Sequence, residues 1–152
     1  DRYLEELDGR RVPLEKNRII GADRDAAVLD YCRRNLDRLQ ISHLVGLRCA
    51  AIAQFKMPED TPSGERLVVS NPPYGERLES AYDLSGTYRE IGALLKREFR
   101  GSRAVLIVGD EAPKTIGLRP ESKRPMRNGQ LPCHLLEFVI HAAARPSGHG
   151  HS

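Results

Sequence analysis

Four short apolar runs alternate along this chain with segments whose apolar residues recur at helical spacing. That alternation restricts the fold more than any other feature. Asn17–Ala22, Leu44–Cys49, Arg66–Ser70 and Ala104–Val108 have the length and Val/Leu/Ile content of strands. Asp23–Gln40 carries Leu29, Cys32, Leu36 and Leu39 at 3, 4, 3 spacing, which predicts a helix with one buried face. A second helix is predicted from about Tyr82 to Phe99, with Tyr88, Ile91, Leu95 and Phe99 inward and Gly101 at its C-cap. Residues 1–16 suggest a short helix and a turn, 56–65 a loop, and Asp110–Ile116 a short helix. Two last strands, Arg119–Arg127 and Leu131–His141, flank Asn128-Gly129, a hairpin signal. The expected fold is α/β: a Rossmann-like, mostly parallel sheet with an antiparallel C-terminal hairpin. Residues 1–141 are expected to be one domain or a part of one, and Ala142–Ser152 a flexible tail.

The bulk properties narrow the function classes. A formal charge of +3 is mildly basic, but the basic residues cluster locally, and Arg119, Lys123, Arg124 and Arg127 form a patch suited to RNA phosphates. Three widely spaced cysteines, Cys32, Cys49 and Cys133, show neither metal-ligand spacing nor a disulfide framework, so no metal is expected and reduced thiols suggest a cytoplasmic protein. No apolar run approaches the roughly 20 residues of a membrane helix.

Two features lie where an open α/β sheet places its ligands, at the carboxyl ends of strands. One is Gly21-Ala22-Asp23-Arg24-Asp25. An acidic side chain just past a strand can accept hydrogen bonds from the ribose hydroxyls of a nucleoside cofactor. Asp23 or Asp25 can equally cap the following helix. The other is Asn71-Pro72-Pro73-Tyr74. An exocyclic NH2 is a poor nucleophile because its lone pair is delocalised into the ring. The Asn71 side-chain oxygen and the Pro72 carbonyl can each accept one N–H bond out of the ring plane, which favours a pyramidal nitrogen with its lone pair available. The prolines fix φ and stiffen the acceptors, and Tyr74 offers a ring face for stacking on a base. This is positioning and electrostatics, with no strong general base. Tyr88 is expected in the core rather than at a base.

These residues resemble Rossmann-type amino-methyltransferases, and most closely the RNA methylase family that modifies guanine N2 of large-subunit ribosomal RNA. The resemblance runs from about Asn17 to His141. It rests on GADRD followed by a helix containing Asn35, on VSNPPYGERL (Val69–Leu78), and on RPMRNGQLPCHLLEF (Arg124–Phe138) with its N-G-x-L-x-C hairpin. It implies S-adenosylmethionine as cofactor, Asp23 on its ribose, and Asn71, Pro72, Pro73 and Tyr74 as the target-amine pocket. Related families with the same four residues methylate DNA adenine N6 or protein glutamine N5. Two departures stand out. The family's glycine-rich strand-one run, Asp-Pro-x-Cys-Gly-Ser-Gly, is absent from these residues, so the domain is expected to be partial, binding the cofactor weakly or not at all by itself. In the family that strand separates the strands ending at Asp23 and Asn71. Ala51 lies near the position of the family's adenine-binding acidic residue, which leaves adenine recognition either to backbone groups or weakened. Both departures leave open a non-catalytic, RNA-contacting role.

Overall fold

The computed structural model describes residues 5–6, 9–10, 12–74, 83–109 and 112–142. They divide into two compact units: Asp1–Ala51 with Met57–Pro62, and Ile52–Lys56 with Ser63–Ser152.

In the first unit β1 (Ile19–Asp23) pairs in parallel with β2 (Val45–Cys49), joined through helix α1 (Ala26–Arg38). The strand starts later than expected. Asn17 takes a left-handed conformation (φ 60°), which ends the extended run at its N-terminal side. Asn17 is buried, and its side-chain amide donates to Asp60 at 2.7 Å. Asp25 caps α1, accepting from the Ala27 N–H at 2.8 Å. The expected buried face of α1 holds only in part. Leu29 is buried and Leu36 half-buried, whereas Cys32 and Leu39 are exposed. Ile19 of β1 is exposed too, and β1 has one hydrogen-bonded neighbour among the described residues.

The second unit is built on a four-stranded sheet in the order β3 (Leu67–Ser70), β4 (Ser102–Val108), β6 (Leu131–Ile140), β5 (Ser122–Asn128). The β3–β4 pair is parallel, and β4–β6 and β6–β5 are antiparallel. The four-stranded sheet is therefore mixed rather than mostly parallel: β6 runs antiparallel between β4 and β5, and with β5 it forms the expected C-terminal hairpin at the sheet margin. Alternation along β4 puts Ala104, Leu106 and Val108 on one face with Leu136 and Phe138 of β6, all fully or almost fully buried. Helix α2 (Leu84–Glu98) adds Tyr88, Ile91 and Leu95 to the core, with Phe99 next to it stacked on Phe55 at 6.3 Å. Those are the four positions its periodicity singled out. Asp83 caps the helix through the Gly86 N–H at 2.8 Å, and Gly101 turns the chain at φ +74°. A short helix α3 (Ala112–Thr115) follows β4, and a 3-10 turn over Ile52–Gln54 was not anticipated.

The run expected to be a buried strand, Arg66–Ser70, is half open. Leu67 and Val69 share one face of β3 and are 64% and 70% exposed. Among the described residues β3 is bonded on one side only, to β4. An apolar run shows that a strand can be buried, while actual burial depends on what lies over it.

Candidate active site

The Asn71–Tyr74 segment begins where β3 ends. Ser70 is its last ladder residue, in register with Leu106, so the sheet fixes the point from which the segment departs. The two prolines then hold φ for the next two steps. Asn71 and Pro73 are exposed, while Pro72 and Tyr74 are buried. The amide of Asn71 therefore reaches solvent on a limb whose next residue is packed inward.

Three contacts hold that limb. The Tyr88 hydroxyl of α2 donates to the Pro73 carbonyl at 3.3 Å. The Asn128 side-chain amide donates to the Tyr74 hydroxyl at 2.7 Å, across 54 residues. Gly109, just past β4, lets the limb pass closely: a Cβ built there would stand 3.2 Å from the Tyr74 Cβ. Tyr74 is 8% exposed, so its ring serves here as an inward anchor, and stacking a base on it requires the ring to turn outward.

Tyr88 is a core residue, as its spacing predicted, and its hydroxyl is also bonded to the site. A buried tyrosine rather than phenylalanine is the sequence's one hint of that bond, since a buried hydroxyl needs a partner. Burial raises the Tyr88 hydroxyl above its ordinary value of 10.0; a hydrogen bond from the Gly109 backbone opposes the shift and the neighbouring Tyr74 adds to it. A raised folded-state value means the unfolded chain loses this proton first. The contribution to stability is complete below pH 10 and is lost as pH rises through the folded value. Melting temperature is thus expected to drop above about pH 10, and Tyr88→Phe is expected to flatten that drop. An unchanged alkaline profile in the variant would disprove the assignment.

In the first unit Asp23 ends β1 and is half-buried. Its Oδ1 accepts from the Asp25 N–H at 2.8 Å, and its carbonyl accepts from the Ala50 N–H at 2.9 Å. Capping of α1 falls to Asp25, not Asp23. A carboxylate has about four lone-pair sites, so the one local contact leaves Asp23 able to accept from a vicinal diol. Ala51 follows β2 and is half-buried. The residues present thus fit the ribose of a nucleoside cofactor.

The basic patch does not form one surface. Arg119 precedes β5 and is exposed. Along β5, Lys123 and Arg127 point to one face and Arg124 to the other. Arg124 is paired with Glu137 of β6, which Arg103 also approaches at 3.9 Å. Arg127 donates to the Gln130 carbonyl at 3.4 Å. The hairpin turn also differs from expectation. Its loop residues are Gly129 and Gln130, with positive φ at Gly129 alone, while Asn128 stays in the ladder opposite Leu131. Positive φ at only the first loop residue is the pattern of a II′ turn rather than the I′ turn of an Asn-Gly pair. That placement frees the Asn128 side chain to reach Tyr74. Asn128 was singled out as a turn residue and not as a site residue, and Gly109 was not singled out at all.

Tyr82, and the Gly-Glu-Arg extension after Tyr74, lie outside the described residues. Among the described residues no group of His, Cys, Asp or Glu could hold a metal ion, and no helix is long and apolar enough to cross a membrane.

The chain is similar to known methyltransferases. Ribosomal RNA large subunit methyltransferase K/L of Vibrio cholerae is 33% identical over 136 residues, 88% of this chain and 19% of that protein. The protein of the same name from Methylococcus capsulatus is 39% identical over 125 residues, 80% of this chain and 16% of its own length. The chain thus spans less than a fifth of these two relatives. The crystal structure of SMU.472 complexed with SAH superposes with a TM-score of 0.78, covering 94% of this chain and 37% of that one at 24% identity. That likeness establishes an α/β fold of the class I methyltransferase kind. Residues 4–137 match the family model described as RMKL-like, methyltransferase domain, and the chain belongs to that family.

Proposed function

We propose that this chain supplies the amine-accepting part of an S-adenosylmethionine-dependent methyltransferase acting on an exocyclic amino group, with guanine N2 of large-subunit ribosomal RNA as the target. The observation that carries this reading is the solvent-facing amide of Asn71 at the carboxyl end of β3, on a limb tied down at Pro73 and Tyr74. The Asn71 Oδ1 and the Pro72 carbonyl each accept one N–H of the target. Together they draw the nitrogen out of conjugation and aim its lone pair, so chemistry follows from position and fixed dipoles. When bound, the cofactor supplies a sulfonium-activated methyl group. Asp23 accepts hydrogen bonds from its ribose hydroxyls, and Ala51 leaves the adenine edge to backbone groups. The glycine-rich run that would cradle the methionine part is not among these residues.

The names of the relatives favour ribosomal RNA as substrate. Such a base must be unpaired or flipped to reach Asn71. Lys123 and Arg127, on one face of β5, and Arg119 before it offer phosphate contacts, while Arg124 is already engaged by Glu137.

The test gives the whole protein methyl-labelled S-adenosylmethionine with protein-free large-subunit ribosomal RNA, duplex DNA or a release factor. Label in the RNA is the expected result. Label in DNA or in the release factor alone would move the substrate to adenine or glutamine while keeping the amine chemistry. No label in any of them, with RNA retained, would leave a non-catalytic RNA-contacting role.

A further inference from the structure

The limb that presents Asn71 is fixed at both ends. At its start Ser70 is locked in the β3–β4 ladder opposite Leu106. At its end the Tyr74 hydroxyl accepts a 2.7 Å bond from Asn128, and between them the Pro73 carbonyl accepts from Tyr88. With φ set at both prolines, few backbone torsions remain free between the two ends. Where Asn71 points therefore depends on where Tyr74 is held.

We infer that Asn128 is a positioning residue for the amine-accepting limb, acting through the Tyr74 hydroxyl. The inference rests on the reading of Asn71 given above. Asn128 is suited to the task by its place in the hairpin. Gly129 and Gln130 make the turn, so the Asn128 side chain is not spent on it. Its backbone is paired with Leu131 on β6, and β6 is in turn laddered to β4. The bond thus ties the limb to the rigid sheet rather than to a loose loop. Because Asn128 donates, the Tyr74 oxygen accepts and keeps its own proton for another partner.

The experiment compares Asn128→Ala, Asn128→Asp, Tyr74→Phe and the Asn128→Ala/Tyr74→Phe double variant in the whole protein. Asn128→Ala is expected to lower kcat about tenfold, the scale of one neutral hydrogen bond, with KM for RNA and for cofactor unchanged. Tyr74→Phe should lose the same amount, and the double variant no more than either, because both remove one bond. Asn128→Asp should recover most of the rate, since a carboxylate accepts from the Tyr74 hydroxyl in the same place. A multiplied loss in the double variant, a raised KM for RNA at unchanged kcat, or no change in kcat would each overturn the inference. Carbon-13 labelling of the tyrosine rings reads the tether without any turnover: Asn128→Ala should move the ring signals of Tyr74 above all, and unmoved signals would refute the bond. Asn71→Ala is run beside them. If that variant still transfers methyl groups, the amine-pocket reading fails while the tyrosine spectra still decide the tether.

Discussion

Asn71→Ala is expected to lower methyl transfer by the whole protein about 10²–10³-fold, the cost of deleting one preorganised transition-state partner. The loss should fall on kcat, because the amide oxygen matters most when the target nitrogen becomes pyramidal and its N–H bonds strengthen. Binding of the cofactor should not change. The fold should tolerate the substitution, since Asn71 is exposed and lies beyond the last ladder residue of β3. Asn71→Asp tests the same point from another side. A carboxylate still accepts the N–H bonds, so it should retain more activity than alanine. A variant with Ala at this position that transfers methyl groups at the normal rate would remove Asn71 from the chemistry.

A loss of comparable size, in stability rather than rate, is expected from Gly92→Ala. Gly92 lies buried on α2, where the helix passes over the chain after α3. A Cβ at this position would stand 1.8 Å from the Ile116 carbonyl oxygen and 2.9 Å from its carbon. These are backbone atoms, so no side chain can swing aside; α2 or the Ile116 segment must move. Alanine is favoured over glycine in a helix by about 1 kcal/mol, and overpacking costs typically 1–3 kcal/mol or more. The backbone clash places Gly92→Ala at the upper end, about 3 kcal/mol destabilising. In urea its transition midpoint should fall at an unchanged slope. A midpoint equal to the wild type would mean that the crossing is looser than described. The position is also tied to function, because α2 carries Tyr88 to the Pro73 carbonyl.

The chain's regular elements were legible to unequal degrees, and the inequality has a physical origin. The inward face of α2 followed from spacing alone, and Tyr88, Ile91, Leu95 and Phe99 are all buried. The same reasoning overstated α1 and β3. Leu39, Leu67 and Val69 have the residue types of a core, yet all three are exposed. Spacing identifies a face, whereas burial needs a partner element. The site shows the same division. Asn71, Pro72, Pro73, Tyr74 and Asp23 stood out as candidates because the proposed chemistry calls for those residue types at strand ends. Asn128 was hidden because its bond to Tyr74 depends on a turn shifted by one residue, and Gly109 because a close approach leaves no pattern in one sequence. The basic cluster failed as a single surface because alternation along β5 sends Arg124 away from Lys123 and Arg127, and Glu137 claims it.

The central claim is that the limb after β3 directs a methyl group to an exocyclic nitrogen, and the identity of the modified atom tests it most directly. The whole protein, wild type and Asn71→Ala in parallel, is incubated with methyl-labelled S-adenosylmethionine and large-subunit ribosomal RNA, which is then digested to nucleosides. The account predicts label in N2-methylguanosine with the wild type and its near disappearance in the variant. Label on a ring nitrogen, or equal N2-methylguanosine from both proteins, would contradict it.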